Sequence, residues 1–191
     1  MRKIVVSMHI TLDGFVSGPN GEMDWITLDD EMFDFVGTFT QNADTALYGR
    51  ITYQMMENYW PTAGSKKDAS KHDIEHSEWY NRVGKIVFSK TLKNSLNPKT
   101  IFLSKNISQE IQTLKNKKGK NILIFGSPTA VQSLIQYNLI DEYWLFVNPI
   151  ILGKGKPLFP KRKNSIPLIL QKTKKFPCGV IGLHYKTKNT I

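Results

Sequence analysis

A short apolar run that turns directly into a helix-like segment constrains the fold of this chain more than any other feature. Residues 122–125 are all apolar, which predicts a buried strand, and Gly126 opens the Gly-Ser-Pro-Thr sequence that follows. Apolar residues at helical spacing come next, namely Val131, Leu134 and Ile135, and residues 143–147 form a second apolar run. A strand that turns through glycine into a helix leaves backbone N–H groups free to bind a phosphate or another anion. The stretch therefore predicts an α/β unit with a candidate anion site, although Gly-Ser-Pro can also simply start a helix.

Strands and helices alternate along the chain, which predicts a single α/β domain over residues 1–191 with a mostly parallel central sheet. The predicted strands are residues 3–9, 43–48, 85–89, 100–103, 122–125 and 143–147. Helices are predicted to begin near Asp29 and Asp30, at Arg50 and at Ser108, the last two ending at residues 57 and 115. Residues 61–76 are polar and irregular, so we expect a surface loop that leads into a short helix. Two alternating stretches, 166–176 and 179–187, predict an antiparallel C-terminal hairpin.

Composition excludes several classes of protein. Apolar residues make up 40% of the 191 residues and charged residues 22%, which is typical of a soluble domain with a full hydrophobic core. No apolar run approaches the roughly 20 residues of a membrane span, and the N-terminus shows no signal-peptide pattern. A single cysteine, Cys178, excludes an internal disulfide and a cysteine-cluster metal site. We expect a cytoplasmic protein without a metal.

The net charge of +10 raises the question of a polyanionic partner. The basic residues are concentrated in two groups: Lys115, Lys117, Lys118 and Lys120, and then Lys154, Lys156, Lys161, Arg162, Lys163, Lys172, Lys174 and Lys175. No nucleic-acid-binding motif accompanies them. They are interpreted as solvated lysines of loops and strand edges, which keep sheets soluble, so nucleic acid is not the expected partner.

Small and cationic residues recur where the predicted parallel strands end. One strand is followed by Gly49, Arg50, Ile51 and Thr52, the next by Ser89 and Lys90, and a third by Gly126, Ser127, Pro128 and Thr129. Ligands of such sheets bind at the carboxyl ends of the strands, and guanidinium or ammonium groups beside hydroxyls suit phosphate oxygens. Three polar strand ends on one edge favour an extended ligand with several phosphates. The alternative is that the glycines only permit turns and both cations are solvated.

Several segments together resemble a known family. They are ITLDGFVSG (10–18), GRITY (49–53), VFSK (87–90), FGS (125–127) and LIDEYWLFVNPIILGKGKPLF (139–159). The chain resembles the reductase domain of bacterial riboflavin biosynthesis, which shares the dihydrofolate reductase fold, and most of all its stand-alone relatives. The resemblance runs from residue 3 to about residue 185. It implies a three-layer α/β fold, NADPH as the cofactor and hydride transfer to a small molecule.

The resemblance also implies where the cofactor binds. The turn containing Gly49, Arg50 and Thr52 corresponds to one that receives cofactor phosphates, and Ser89 with Lys90 corresponds to a Ser-Arg pair that meets the adenosine 2′-phosphate. Lysine keeps the charge of that arginine but not its bidentate fork. Gly126 and Ser127, followed by Thr129, stand where the family has a glycine pair around the pyrophosphate. The loop of residues 11–17, which includes Val16, is implied to lie against the nicotinamide.

Hydride transfer needs a proton at the adjacent atom, and two acids are candidates for its source. Asp30 lies five residues after Trp25, the spacing of the catalytic carboxylate in dihydrofolate reductases, although a first-turn acid of a helix explains it equally well. Asp13 occupies a position where the family keeps an acid, which can instead hold the loop turn. His9, at the end of the first strand, is interpreted as a half-buried histidine whose polar atoms are satisfied.

The sequence leaves the substrate and the turnover open. The zinc-deaminase pattern that accompanies the riboflavin enzyme is absent, so deamination is excluded, and either a pyrimidine ribosyl compound or a pteridine remains a candidate substrate. An alternative function is an NADP(H)-binding protein of the same fold without reductase turnover. We also expect a homodimer, in which the hairpin side chains Ile169, Val180, Ile181 and Leu183, with Trp144 and Phe146, pack against a second copy.

Overall fold

The first strand lies in the middle of the sheet because it is apolar on both faces. The structure, a computed structural model that describes residues 1–95, 97–161 and 163–188, shows every residue of β1 (Ile4–Thr11) buried except His9. β1 pairs in parallel with β6 (Asn121–Phe125) on one side and with β7 (Glu142–Asn148) on the other. Strands that are buried on both faces are mostly apolar, as β6 is, and β1 is apolar apart from Ser7, His9 and Thr11.

The other elements follow in chain order. The remaining strands are β2 (Phe15–Ser17), β3 (Ala43–Gly49), β4 (Gly84–Phe88), β5 (Thr100–Leu103), β8 (Lys156–Pro157), β9 (Leu168–Lys175) and β10 (Ile181–Thr187). The helices are α1 (Asp30–Gln41), α2 (Arg50–Ala63), α3 (Lys71–Arg82), α4 (Ile107–Asn116) and α5 (Pro128–Gln136).

The eight-stranded sheet has the order β5-β4-β3-β6-β1-β7-β10-β9. Pairing is parallel from β5 to β7 and antiparallel between β7, β10 and β9, so the mostly parallel sheet and its antiparallel C-terminal hairpin are confirmed. The carboxyl ends of β3, β4, β5, β6 and β1 therefore meet at one edge of the sheet. β2 and β8 form a separate two-stranded sheet.

Helices cover both faces of the central sheet and give two hydrophobic cores. On one face α4 and α5 contribute Ile111, Ala130, Val131, Leu134 and Ile135. On the other face α1, α2 and α3 contribute Met32, Tyr53, Trp79 and Tyr80. The molecule is thus a three-layer α/β/α structure, as expected from the sequence.

The surface loop and short helix expected over residues 61–76 are both present, but the loop is shorter and the helix longer than predicted. α2 runs on through Pro61 to Ala63, and α3 begins after Ser70, whose hydroxyl accepts a hydrogen bond from the Asp73 backbone N–H while the Asp73 carboxylate accepts one from the Ser70 N–H. This reciprocal capping box starts the helix. α3 buries a narrow stripe that includes Trp79 and Tyr80, and the rest of its surface is polar, which is why its composition resembles that of a loop.

Two further expectations need correction. Lys115 is not solvated: it is 4% exposed, and its Nζ donates to Asp141 Oδ2 (2.6 Å) and to the Leu139 carbonyl (3.1 Å). These contacts supply the charge and hydrogen-bond partners that a buried ammonium requires.

Trp144 and Phe146 do not face a second copy, since both pack against Phe35 of α1. Val180 is likewise fully buried within the chain. Arg162, one of the basic residues counted above, lies outside the described residues.

Candidate functional site

The turns after β3 and β6 touch each other at the carboxyl edge of the sheet. The Gly49 N–H donates to the hydroxyl of Ser127 (2.7 Å), and a Cβ on Gly49 would lie 2.9 Å from Thr129 Oγ1, so only glycine fits here without displacing its neighbours. Within the described residues, neither α2 nor α5 has a side-chain hydrogen bond capping its N-terminus. Two helices therefore begin side by side with backbone N–H groups available to an anion.

A cleft of about 390 Å³ opens beside these turns. It crosses the ends of β3, β4 and β5 and the start of α5, and it is lined by Gly49, Arg50, Ile51, Phe88, Ser89, Lys90, Thr91, Leu103, Ser104, Ile107, Thr129, Ala130 and Ser133. Five residues singled out from the sequence, Gly49, Arg50, Ser89, Lys90 and Thr129, thus share one cleft. They come from three segments that are far apart in the chain.

The polar groups of the cleft suit phosphate oxygens. Arg50 and Lys90 are exposed, and the Arg50 guanidinium donates one hydrogen bond, to Gln54 Oε1 (2.9 Å), which leaves its other N–H groups for a ligand. The Ser89 hydroxyl accepts from the backbone N–H groups of Leu92 (2.7 Å) and Thr91 (3.2 Å) and keeps its own proton to donate. Two cations, one hydroxyl and two helix starts fit an extended ligand with more than one phosphate.

The other residues implied as cofactor contacts lie outside the lining of this cleft. Thr52 donates from its hydroxyl to the Gly126 carbonyl (3.3 Å), and Gly126 has a φ of +55°, a left-handed conformation that favours glycine. Ser127 is fully buried by its contact with the β3 turn. Val16 is 5% exposed and packs in the core with Ile10, so its role as a cofactor contact stays a prediction.

Asp13 holds two loops together. Its carboxylate accepts hydrogen bonds from the Thr11 hydroxyl (2.5 Å), the Gly153 N–H (2.8 Å) and the Leu152 N–H (3.2 Å). The hydrogen bond from Thr11, followed by those from the two backbone groups, lowers the pKa of Asp13. A carboxylate held in this way favours its charged form, which suits a loop anchor better than a proton donor.

Asp30 is exposed in the first turn of α1, where Asp29 rather than Asp30 caps the helix by accepting from the Met32 N–H (2.8 Å). Asp30 lines a second cleft of about 340 Å³ between α1 and α3, together with Phe33, Asp34, Ser70, Lys71, His72 and Glu75. It is therefore accessible to a ligand but lies in a different cleft from Arg50 and Lys90. Its role as proton source stays a prediction.

A network that the sequence did not indicate lies at the carboxyl ends of β1 and β7. The side chain of Asn148 is fully buried, and its Oδ1 accepts from the Thr27 N–H (3.0 Å) in the loop before α1. Its Nδ2 donates to the Phe146 carbonyl (3.0 Å) and lies 3.3 Å from both the Ile10 carbonyl and His9 Nδ1. His9 stacks on Phe146, and burial lowers the pKa of His9 to about 4. Only the Asn-Pro pair after a strand could have drawn attention to Asn148.

Among the described residues, no group of three or more His, Cys, Asp and Glu side chains is arranged to hold a metal ion. Nor does the described chain contain a helix that is both long and apolar enough to cross a membrane.

Comparison of sequences connects the chain with a family of proteins. The sequence model described as RibD C-terminal domain matches residues 2–182. The uncharacterised protein YyaP of Bacillus subtilis (strain 168) is 35% identical over 184 residues, which are 96% of this chain and 94% of that protein.

Comparison of structures agrees on the fold. A pyrimidine reductase-like protein from Corynebacterium diphtheriae matches with a TM-score of 0.67 and 18% identity, over 97% of this chain and 92% of that chain. Dihydrofolate reductase from Enterococcus faecalis, solved in complex with NADP(H), matches with a TM-score of 0.62 and 13% identity, over 97% and 96% of the two chains. The dihydrofolate-reductase-like fold expected from the resemblance is confirmed.

Proposed function

We propose, because the chain belongs to the RibD C-terminal domain family, that it is an NADPH-dependent reductase which transfers hydride to a pteridine- or pyrimidine-type small molecule. The observation that carries the proposal is the cleft in which Arg50, Lys90 and the paired starts of α2 and α5 meet. Its cations and free N–H groups fit the phosphates of a dinucleotide.

Different residues of the cleft would bind different phosphates of the cofactor. Lys90 and Ser89 suit a 2′-phosphate, which NADPH has and NADH lacks, and Arg50 with the N-terminus of α2 suits the next phosphate along the edge. Bound NADPH would supply the hydride. The loops fastened by Asp13 and Asn148 lie outside this cleft, at the carboxyl ends of β1 and β7, and would limit the access of water to a part of the cofactor that reaches these strand ends.

The test is a titration of the purified protein with NADPH and, separately, with NADH, followed by fluorescence and by thermal shift. We expect NADPH to bind more tightly, and Arg50→Ala and Lys90→Ala each to weaken it about tenfold or more, since each removes a charge-assisted hydrogen bond. Lys118→Ala removes an exposed charge outside the cleft and serves as the matched control. Absence of NADPH binding, or equal losses in all three variants, would contradict the proposal.

The second candidate is an NADP(H)-binding protein without reductase turnover. The positions of the two candidate proton donors favour it, because Asp13 is engaged as a loop anchor and Asp30 lines the other cleft. NADPH oxidation in the presence of dihydrofolate or of pyrimidine ribosyl compounds distinguishes the two candidates. Turnover that falls in Asp30→Asn while NADPH affinity is kept supports the reductase, and NADPH binding without oxidation across such a screen supports the second candidate.

A further inference from the structure

The orientation of the Asn148 side-chain amide is fixed by groups that have only one hydrogen-bonding role. The Thr27 N–H can only donate, so the atom that faces it must be the amide oxygen. The carbonyls of Phe146 and Ile10 can only accept, so the atom that faces them must be the amide nitrogen. Rotating the amide by half a turn would place its oxygen against the two carbonyl oxygens and its NH₂ group against the Thr27 N–H. In a fully buried site these three pairs of like groups would be unfavourable.

This orientation determines which nitrogen of His9 carries the proton. The Asn148 NH₂ group has two protons for three acceptors, so one proton serves the Phe146 carbonyl and the other is shared by the Ile10 carbonyl and His9 Nδ1, each 3.3 Å from the amide nitrogen. Because the amide nitrogen cannot accept, a proton on Nδ1 would face it without an acceptor, and Nδ1 is therefore assigned as the unprotonated nitrogen. A neutral imidazole that accepts at Nδ1 carries its proton on Nε2. Burial lowers the pKa of His9 to about 4, so the ring is neutral near pH 7.

The proton on Nε2 is available to a ligand. His9 is the one residue of β1 that is half-buried rather than buried, and its Nε2 has no hydrogen-bond partner within the described part of the chain. The stack on Phe146 holds the ring in place, with 5.1 Å between the ring centroids. The site thus presents an oriented N–H donor beside the carboxyl end of β1.

The position of His9 relative to the cleft indicates what the donor would meet. Going along the sheet from β4, which precedes Lys90, the next strands are β3, β6 and β1. These three inter-strand spacings amount to about 14 Å, a distance that an extended dinucleotide covers. A dinucleotide with its 2′-phosphate at Lys90 would therefore bring its nicotinamide close to the end of β1.

We propose that His9 is a cofactor-binding residue whose Nε2–H donates a hydrogen bond to the carboxamide oxygen of the nicotinamide, and that Asn148 is a positioning residue which acts through His9. The proposal rests on the proposed function for the identity of the ligand. The carboxamide supplies a carbonyl acceptor at the reactive end of NADPH. A neutral donor binds it without any proton transfer.

The first experiment compares two ligands of the full chain: NADPH, and adenosine 2′,5′-bisphosphate, which lacks the nicotinamide. His9→Phe keeps an aromatic ring on Phe146 but removes the N–H. We expect it to weaken NADPH about three- to tenfold and to leave the bisphosphate unchanged, whereas Lys90→Ala weakens both ligands. Unchanged NADPH affinity in His9→Phe, or an equal loss of both ligands, overturns the role of His9 and leaves the proposed function standing. If neither ligand binds the unmodified protein, the proposed function fails and this proposal fails with it.

The second experiment reads the tautomer directly. Long-range ¹⁵N–¹H NMR spectra show the two ring nitrogens of the four histidines, and the signals missing in His9→Phe identify those of His9. We expect His9 to carry its proton on Nε2, NADPH to shift that signal, and Asn148→Leu to remove the preference for this tautomer. A proton on Nδ1 in the unmodified protein overturns the assignment. If Asn148→Leu does not fold, the spectrum of the unmodified protein still decides the question.

Discussion

At the scale of single residues, several polar side chains of this molecule serve to fasten segments that are distant in the chain. Asp13 contacts Gly153, Asn148 contacts Thr27, and the Asp29 carboxylate accepts from the Cys178 N–H (2.9 Å) in the terminal hairpin. Together they fix the loops around the carboxyl ends of β1 and β7. The geometry near the candidate site therefore depends on a few hydrogen bonds as well as on apolar packing.

Asp13→Asn tests the role of Asp13 as a loop anchor. Asparagine keeps one oxygen acceptor but replaces the other with an NH₂ group, which cannot accept from a backbone N–H. We expect faster amide hydrogen exchange at Leu152 and Gly153 and unchanged exchange in β4. Exchange that stays as slow as in the unmodified protein would show that the carboxylate does not hold this loop.

The burial of His76 predicts that the free energy of unfolding depends on pH. It is packed against Trp60 and Trp79, and burial lowers the pKa of His76 to about 3. Since the unfolded chain takes up this proton near pH 6.5 and the folded chain does so only near pH 3, the unfolded state binds more protons across that window. The free energy of unfolding should fall as pH drops below 6.5, by up to about 1.4 kcal/mol per pH unit for this group.

The measurement is urea unfolding between pH 7.5 and 4.5. His76→Phe, which cannot be protonated, should reduce the slope of stability against pH. His9 contributes a slope of the same sign, because burial lowers its pKa as well. A His76→Phe slope equal to that of the unmodified protein would contradict the assignment.

At the scale of elements, sequence patterns located the strands better than the helices. The sequences of β1, β6 and β7 are apolar over most of their length, so a buried strand is the structure that they predict. α3 was predicted only as a short helix without defined bounds, because its buried stripe is narrow and its amphipathic signal comes after a polar segment. At the site, the cations after strand ends could be predicted because parallel strands end at one edge. The contact of Asn148 with Thr27 could not, because it joins residues 121 positions apart and depends on how two loops meet.

Ser70→Ala tests the start of α3. The Ser70 hydroxyl accepts from the Asp73 N–H (3.1 Å), and its loss leaves that donor without its cap. We expect a loss of about 1 kcal/mol in the free energy of unfolding, measured with urea. Ser108→Ala, within the first turn of α4 rather than at its cap, is the control and should change stability less. Equal effects in the two variants would argue against a capping box.

At the scale of the whole molecule, the terminal hairpin leaves apolar surface exposed at its outer strand. Leu170 is 51% exposed, and it pairs with Tyr185, which lies on the same face of the sheet as Leu183. β9 is also an edge strand. An exposed apolar edge favours association with another copy.

The predicted homodimer can be tested by light scattering. We expect twice the chain mass of 21.9 kDa for the unmodified protein and a shift toward the monomer for Leu170→Lys. Lys172→Ala changes the same strand on the opposite face and should leave the mass unchanged. A 21.9 kDa particle for the unmodified protein would refute the dimer.

The central position of β1 also has a consequence for synthesis on the ribosome. β1 leaves the exit tunnel before the other strands of its sheet, yet its two neighbours, β6 and β7, are not complete until residues 125 and 148 have been made. Until then an apolar strand with two open edges remains in the nascent chain, where it can bind chaperones or other strands. Slowing translation before residue 125 should therefore lower the yield of folded protein more than slowing it after residue 148.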